Sequence, residues 1–179
     1  MKPHLLFFFP WFLAAIFSHA QTSSPQPLAF RIGSARFDRP EGWTYSRPTD
    51  GILAAQLEKK SGGTLLRITF AKLASGSGGT VPANVDRWLG QFISRDAAPE
   101  VEALADTTLP VTLVKVTGTM KGGVPGGPPQ DTPDTLLLGA ILDSSEGLVA
   151  VKLVGPKIPV GLAEPAFTRL VKSAAGRKS

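Results

Sequence analysis

The sequence predicts an α+β fold: an antiparallel β-sheet with two covering helices, an αβα sandwich. Three observations carry this. Alternating or β-branched apolar runs recur at 52–60, 64–72, 110–120, 135–142 and 148–154, and such runs are strand signals. Two other segments, 80–93 and 163–174, space their apolar residues three and four apart, as a half-buried helix does. The order is strands, helix, strands, helix, with short links between consecutive strands, which favours antiparallel pairing over crossover units.

Residues 1–20 stand outside the predicted fold. Lys2 and His4 make a basic start, Leu5 to Phe17 is an apolar run, and Ser18-His19-Ala20 is a small-x-small site before Gln21. This is the pattern of a secretory signal peptide cleaved near Ala20. The apolar run is shorter than the roughly 20 residues a membrane-spanning helix needs, and no cysteine follows it, so no lipid anchor is expected. The expected location is periplasmic or extracellular, without stable membrane insertion. Ser, Pro and Gln dominate 21–28, read as a flexible lead-in. The domain is assigned to 29–175 and a short basic tail to 176–179.

Within the domain, Leu28–Phe37 reads as a first strand with a bend at Gly33, and Asp38–Asp50 as a proline-punctuated loop. Ile52–Lys60 and Thr64–Lys72 form a hairpin about Ser61-Gly62-Gly63, with Leu53, Ala55, Leu57, Leu66, Ile68 and Phe70 on the dry face. Ala74–Gly79 is a glycine-rich connector. It lacks the Gly-Lys-Ser/Thr and G-x-G-x-x-G patterns of phosphate-binding loops. Thr80 is the expected N-cap of a helix running to Ile93, with Pro82 in its first turn and Val85, Trp88, Leu89, Phe92 and Ile93 inward. Asp96–Pro99 turns, a short strand falls within 101–109, and Pro110–Met120 is strongly strand-like. Lys121–Pro133 is a long Gly/Pro loop. Thr135–Leu142 is apolar on both faces, as a central strand is. Leu148–Val154 returns beside it and Gly155-Pro156 ends it. The last helix covers Ala163–Ala174, with Pro165 in its first turn.

Composition excludes more chemistry than it suggests. Beyond residue 20 the chain carries 18 basic and 14 acidic residues, a net +4, and the charges are scattered. No nucleic-acid partner is expected. Both histidines, His4 and His19, lie in the leader, and there is no cysteine. Ser-His and Cys-His nucleophiles, thiol redox chemistry and Cys/His zinc sites are therefore excluded from the mature chain.

The segments Asn84–Phe92, Val116–Thr119, Leu138–Ile141 and Val151–Pro156, with Phe167, resemble a group of uncharacterised exported bacterial proteins, over roughly residues 38–174. The element order is similar to the PsbP/Mog1-like fold. That resemblance implies accessory or scaffolding roles and brings no catalytic residues. Members of the group often carry a lipobox cysteine, which is missing here.

Candidate site residues are few. Arg87 and Gln91, one turn apart on the wet face of the first helix, could grip an anion or a carboxylate; a plain solvated face is the alternative. Lys152 projects from a strand beside Gly155 and either meets a ligand or snorkels across the sheet. Trp43 and Tyr45 could form a stacking platform, or could pack into the core beneath the loop. Asp131 and Asp134 lack the spacing of a calcium loop. Among Asp86, Glu100, Glu102, Asp106, Asp131, Asp134 and Glu164 no pair sits in a recognisable catalytic setting. No catalytic, metal or cofactor-binding residue is assigned. The expected function is an exported binding or accessory domain for an unknown protein or envelope component. A carboxylate- or Lys-dependent envelope enzyme and a small-ligand carrier are the alternatives.

Overall fold

A computed structural model describes residues 25–49, 51–74, 76, 78–122 and 129–176. The leader, the start of the lead-in, the middle of the 121–133 loop and residues 177–179 lie outside the described residues. The architecture is the expected α+β one. Eight strands form one antiparallel sheet: β3 (Thr44–Ser46), β4 (Ala55–Ser61), β5 (Thr64–Ala74), β10 (Gly147–Pro156), β9 (Thr132–Ser144), β8 (Val111–Met120) and β6 (Phe92–Arg95), in that spatial order, with β7 (Glu100–Ala103) also pairing β8. Helices α1 (Val81–Leu89) and α2 (Lys157–Ala175) complete it.

The 52–72 segment is the expected hairpin, with Leu57 facing Ile68 across β4–β5. The doubly apolar segment becomes β9, enclosed between β8 and β10 and buried continuously from Thr135 to Leu142. Layers on both faces demand that composition.

The two sides of the sheet are covered unequally. The nineteen-residue α2 buries Val160, Ala163, Phe167, Leu170, Val171 and Ala174 on one face. Beside it lies a hairpin of β1 (Ala29–Ile32) and β2 (Ala35–Asp38), a separate two-stranded sheet. Residues 28–37 were expected to form one bent strand; the chain instead reverses at Gly33, whose φ of 58° suits glycine. Phe37 and Phe70 meet edge to face at 5.1 Å, and the Asp38 N–H donates to Ser173 Oγ at 3.0 Å, fixing the hairpin to the sheet and to α2. Residues 26–28 are tied as well: the Tyr45 N–H donates to Gln26 Oε1, Arg39 Nε to the Pro27 carbonyl, and the Arg39 N–H to the Leu28 carbonyl.

On the opposite face the only helix among the described residues is α1. Thr80 caps it, its hydroxyl accepting the Ala83 N–H at 3.3 Å. The expected helix to Ile93 is too long. It stops at Leu89, because Gly90 closes the last turn on the Asp86 carbonyl and the chain then pairs with β8, Phe92 opposite Met120. Val85, Trp88 and Phe92 are buried as expected, whereas Ile93 is 56% exposed on β6.

The C-terminal helix is longer than its periodicity predicts. It starts at Lys157, directly after β10, because Val160 extends the buried stripe one turn back. Pro165 is thus an interior residue rather than a first-turn one.

Candidate functional site

The site is assembled on the α1 side of the sheet. Antiparallel pairing sets Ser46, Gln56, Thr69, Lys152, Gly139 and Val114 side by side in one row across five neighbouring strands plus β3. Directly opposed residues point to the same face. At the Gly139 end the row is roofed by Trp88: a Cβ on Gly139 would lie 2.3 Å from Trp88 Cζ3. The indole therefore rests on bare backbone, and only glycine leaves room for it. The core beneath α1 is drawn from β8, β9 and β10: Val114, Val116, Leu137, Ile141 and Leu148. Nine helical residues reach no further. Over β4 and β5 the same face stays partly open, and Leu65 is 49% exposed there.

Lys152 stands at the border between the roofed and open halves. Its Nζ donates to Gln91 Oε1 at 3.4 Å, and no carboxylate among the described residues pairs with it. Burial beside the α1 core pushes its pKa below the ordinary 10.5. Leu65, Arg67, Thr69 and Val154 complete a shallow depression around it. Arg67 is occupied, its NH2 2.8 Å from Glu58 Oε1, and Gln56 also donates to that carboxylate oxygen. The Thr69 hydroxyl donates to the Lys152 carbonyl at 3.3 Å.

Arg87 and Gln91 turn to different partners. Arg87 NH1 donates to Asn84 Oδ1 at 2.9 Å, on the helix itself. Gln91 lies past the end of α1, its N–H on the Trp88 carbonyl, and turns to Lys152 instead. The structure thus joins two of the five candidates, Gln91 and Lys152, and separates Arg87.

Trp43 and Tyr45 take the core alternative. Trp43 is 1% exposed, with its Nε1 unpartnered among the described residues, so no ligand can stack on its indole. Tyr45 is half-buried against Phe30, ring centroids 4.8 Å apart.

One cluster escaped the sequence reading. Glu100 of β7, Lys115 of β8 and Glu164 of α2 converge with Glu102 around a depression floored by Leu113 and Phe167. Lys115 Nζ reaches both Glu164 oxygens, at 3.0 and 3.1 Å. The Glu164 hydrogen bond raises the Lys115 pKa against an opposing desolvation, and charge attraction from Glu164 and then Glu100 adds to the rise. The only signal in the sequence was β7–β8 pairing in register, which sets Glu100 opposite Lys115; α2 had to be placed in space to supply the third member. Asp131 accepts the Gly122 N–H at 2.9 Å, a loop-closing bond.

Asn84 was also missed. It is 1% exposed, and its Nδ2 donates to the Gly78 and Thr80 carbonyls, both at 2.9 Å, tying the glycine-rich connector to α1.

No family model matches the chain, and no curated protein matches it. Among solved structures, cyanobacterial PsbP from Synechocystis sp. PCC 6803 is similar to it, with 11% identity and a TM-score of 0.48, covering 89% of this chain and 98% of that one. A protein of unknown function from Pseudomonas aeruginosa is similar at 11% identity and a TM-score of 0.45, covering 87% of this chain and all of its own. The solved structures similar to the chain thus include a PsbP.

Proposed function

We propose that the chain is an exported, non-catalytic accessory domain that binds a partner through the open half of its sheet, with Lys152 and Gln91 at the centre of the contact. One observation supports this above the rest. Lys152 is a partly desolvated cation with no carboxylate partner among the described residues, at the border between the covered and open halves of the sheet face. A cation so placed is available for a charge-assisted hydrogen bond to a group from outside the chain. Export rests on residues 1–20, and among the described residues no helix is long and apolar enough to cross a membrane.

The reading is tested by placing a photo-crosslinking amino acid at Thr69, on the open face, or at Arg169, exposed on α2, in cells producing the full chain. A discrete adduct from position 69 alone is expected. Adducts from 169 alone, or from neither, overturn the reading. Mass spectrometry of the recovered chain is expected to find Gln21 as its first residue; an intact leader contradicts export.

A Lys-dependent enzyme is the second reading, and the lowered pKa of Lys152 is what favours it. Borohydride trapping of a carbonyl compound on Lys152 selects it. Lys115 suits that role less, since its pKa is raised.

A further inference from the structure

The chemistry of the partner can be narrowed, on the reading that the open sheet face is a binding surface. Around Lys152 the available hydrogen-bond donors are few and defined. Arg67 has its charge balanced by Glu58, which takes its Nε and NH2 and leaves NH1 without a partner among the described residues, and the Thr69 hydroxyl donates to a backbone carbonyl. The cation left without a counter-charge is the Lys152 ammonium, and beside it the Gln91 amide Nε2 has no partner among the described residues while its Oε1 holds Lys152. One positive charge and one neutral N–H donor, side by side, match a group with a single negative charge and two coplanar oxygens. A phosphoryl group carries more charge at neutral pH and three acceptor oxygens, and would leave part of its charge unmet. The wall of the depression is apolar, from Leu65 and Val154. It suits the methylenes of an amino-acid side chain. Lys60 shares this face, opposite Leu65 on β4, and Arg87 is exposed on α1 nearby. With Arg67 and Lys152 they set four cations against the two acids Glu58 and Asp86.

We propose that the depression lined by Leu65, Arg67, Thr69, Lys152 and Val154 receives an aspartate or glutamate side chain from an acidic polypeptide segment of the partner, the carboxylate bridging Lys152 Nζ and the Nε2 of Gln91, which stands beside Lys152. The neighbouring apolar walls hold the stem of that side chain, and Lys60 and Arg87 steer the rest of the acidic segment by longer-range attraction. Lys152 exchanges a partly dry, unpaired state for a charge-assisted hydrogen bond on binding.

The test uses the full mature chain and a synthetic hexaglutamate peptide, with hexaglutamine, inorganic polyphosphate and phosphatidylglycerol vesicles as comparison probes. Hexaglutamate is expected to bind, shifting the amide resonances of Thr69, Gln91 and Lys152 and raising the apparent pKa of the Lys152 amine. Lys152→Gln is expected to weaken binding about tenfold or more, Lys152→Arg less, and Lys172→Gln, on the outer side of α2, not at all. Unchanged binding by Lys152→Gln overturns the proposal, because the attraction is then general. So does a preference for polyphosphate or for vesicles over the peptide, which assigns the site to phosphoryl groups or to a lipid surface. Absence of peptide binding, with position 69 still crosslinking in cells, overturns the carboxylate assignment alone. Loss of the crosslink overturns the binding face itself. Should Lys152→Gln fail to fold, the titration of the Lys152 amine in the unaltered chain decides: a pKa that hexaglutamate leaves in place rules the bridge out.

Discussion

At the scale of single residues, two positions carry most of what is distinctive on the α1 face, and they lie side by side. Gly139 admits the Trp88 ring against bare strand, so Gly139→Ala must push the indole outward or bend β9. Overpacking of this kind costs about 1–3 kcal/mol. The expected result is a lower urea midpoint together with a red-shifted tryptophan emission; a variant with unchanged midpoint and emission shows the contact to be dispensable. Lys152, Gly139's partner across the ladder, costs stability rather than adding it. Its folded pKa lies below the ordinary 10.5, so between the two values the unfolded chain binds more protons than the folded one. Stability therefore rises with pH across that window, and the penalty is complete below the folded pKa. Lys152→Met is expected to melt higher than the parent at pH 7, the gap narrowing as pH approaches 10.5. A gap that stays constant with pH places the gain in packing rather than in charge. Neither residue announced its role in the sequence. Lys152 was visible as a candidate on an alternating strand with a ligand or a snorkelling role left open, and Gly139 only as a small residue in an apolar strand, because the ring that explains the glycine arrives from 51 residues earlier in the chain.

The elements were legible where local periodicity ruled and illegible where a neighbour did. The 55–74 hairpin, β8, β9 and β10 follow from patterns that fix both the pairing and the dry face. The end of α1 did not. Phe92 and Ile93 continue a helical spacing, yet Gly90 and the free edge of β8 turn them into a strand, and tertiary pairing overrides a weak local preference. β3 and β6, of three and four residues, are strands only because β4 and β8 offer them edges. α2 shows the converse case. Its Pro165 suggested a beginning, but burial of Val160 against the sheet carries the helix through it. An interior proline lacks the N–H that would bond the Gly161 carbonyl and crowds that turn, at a cost of about 3 kcal/mol. It also stiffens the unfolded chain, which returns under about 1 kcal/mol. Pro165→Ala is therefore expected to raise the melting temperature by several degrees, since residue 165 is exposed. A lower melting temperature shows that the proline fits a local bend the helix requires. In α1 the equivalent local control is Asn84. Asn84→Ala leaves the Gly78 carbonyl without its donor and the Thr80 carbonyl with only the backbone N–H of residue 84, and losing a buried polar partner costs about 1–3 kcal/mol. Asn84→Ala is expected to lower the urea midpoint accordingly, and an unchanged midpoint shows that water replaces the amide.

At the scale of the whole molecule the sheet divides the core in two, and the halves are not equal. On one side α2, the β1–β2 hairpin and the inner residues of β4, β5, β9 and β10 form a large apolar cluster that includes Phe30, Phe37, Trp43, Phe70 and Phe167. On the other, α1 and β6 cover a smaller one centred on Trp88. A helix of nine residues is marginal by itself, and the burial of Val85 and Trp88 supplies about 1.5–3 kcal/mol for each side chain. β6 adds four residues on an edge whose pairing is interrupted by a bulge at Ile93. The α1–β6 unit can therefore detach while the larger cluster, on the far side of β8–β9–β10, keeps its packing. Native-state hydrogen exchange is expected to resolve this. Amides of Val85–Leu89 should open at a free energy well below that of Leu138–Leu142 in β9 and Val149–Leu153 in β10, which share the global value. The site proposed for Lys152 and Gln91 straddles that boundary, Lys152 on the stable sheet and Gln91 on the connection that leaves α1. Binding there should raise the opening free energy of α1 and leave the β9 amides governed by global unfolding, because an occupant that bridges the two side chains penalises their separation. Equal protection of α1 and β9 in the free chain shows instead that the two layers unfold as one, and that the smaller core is coupled to the larger through the sheet between them.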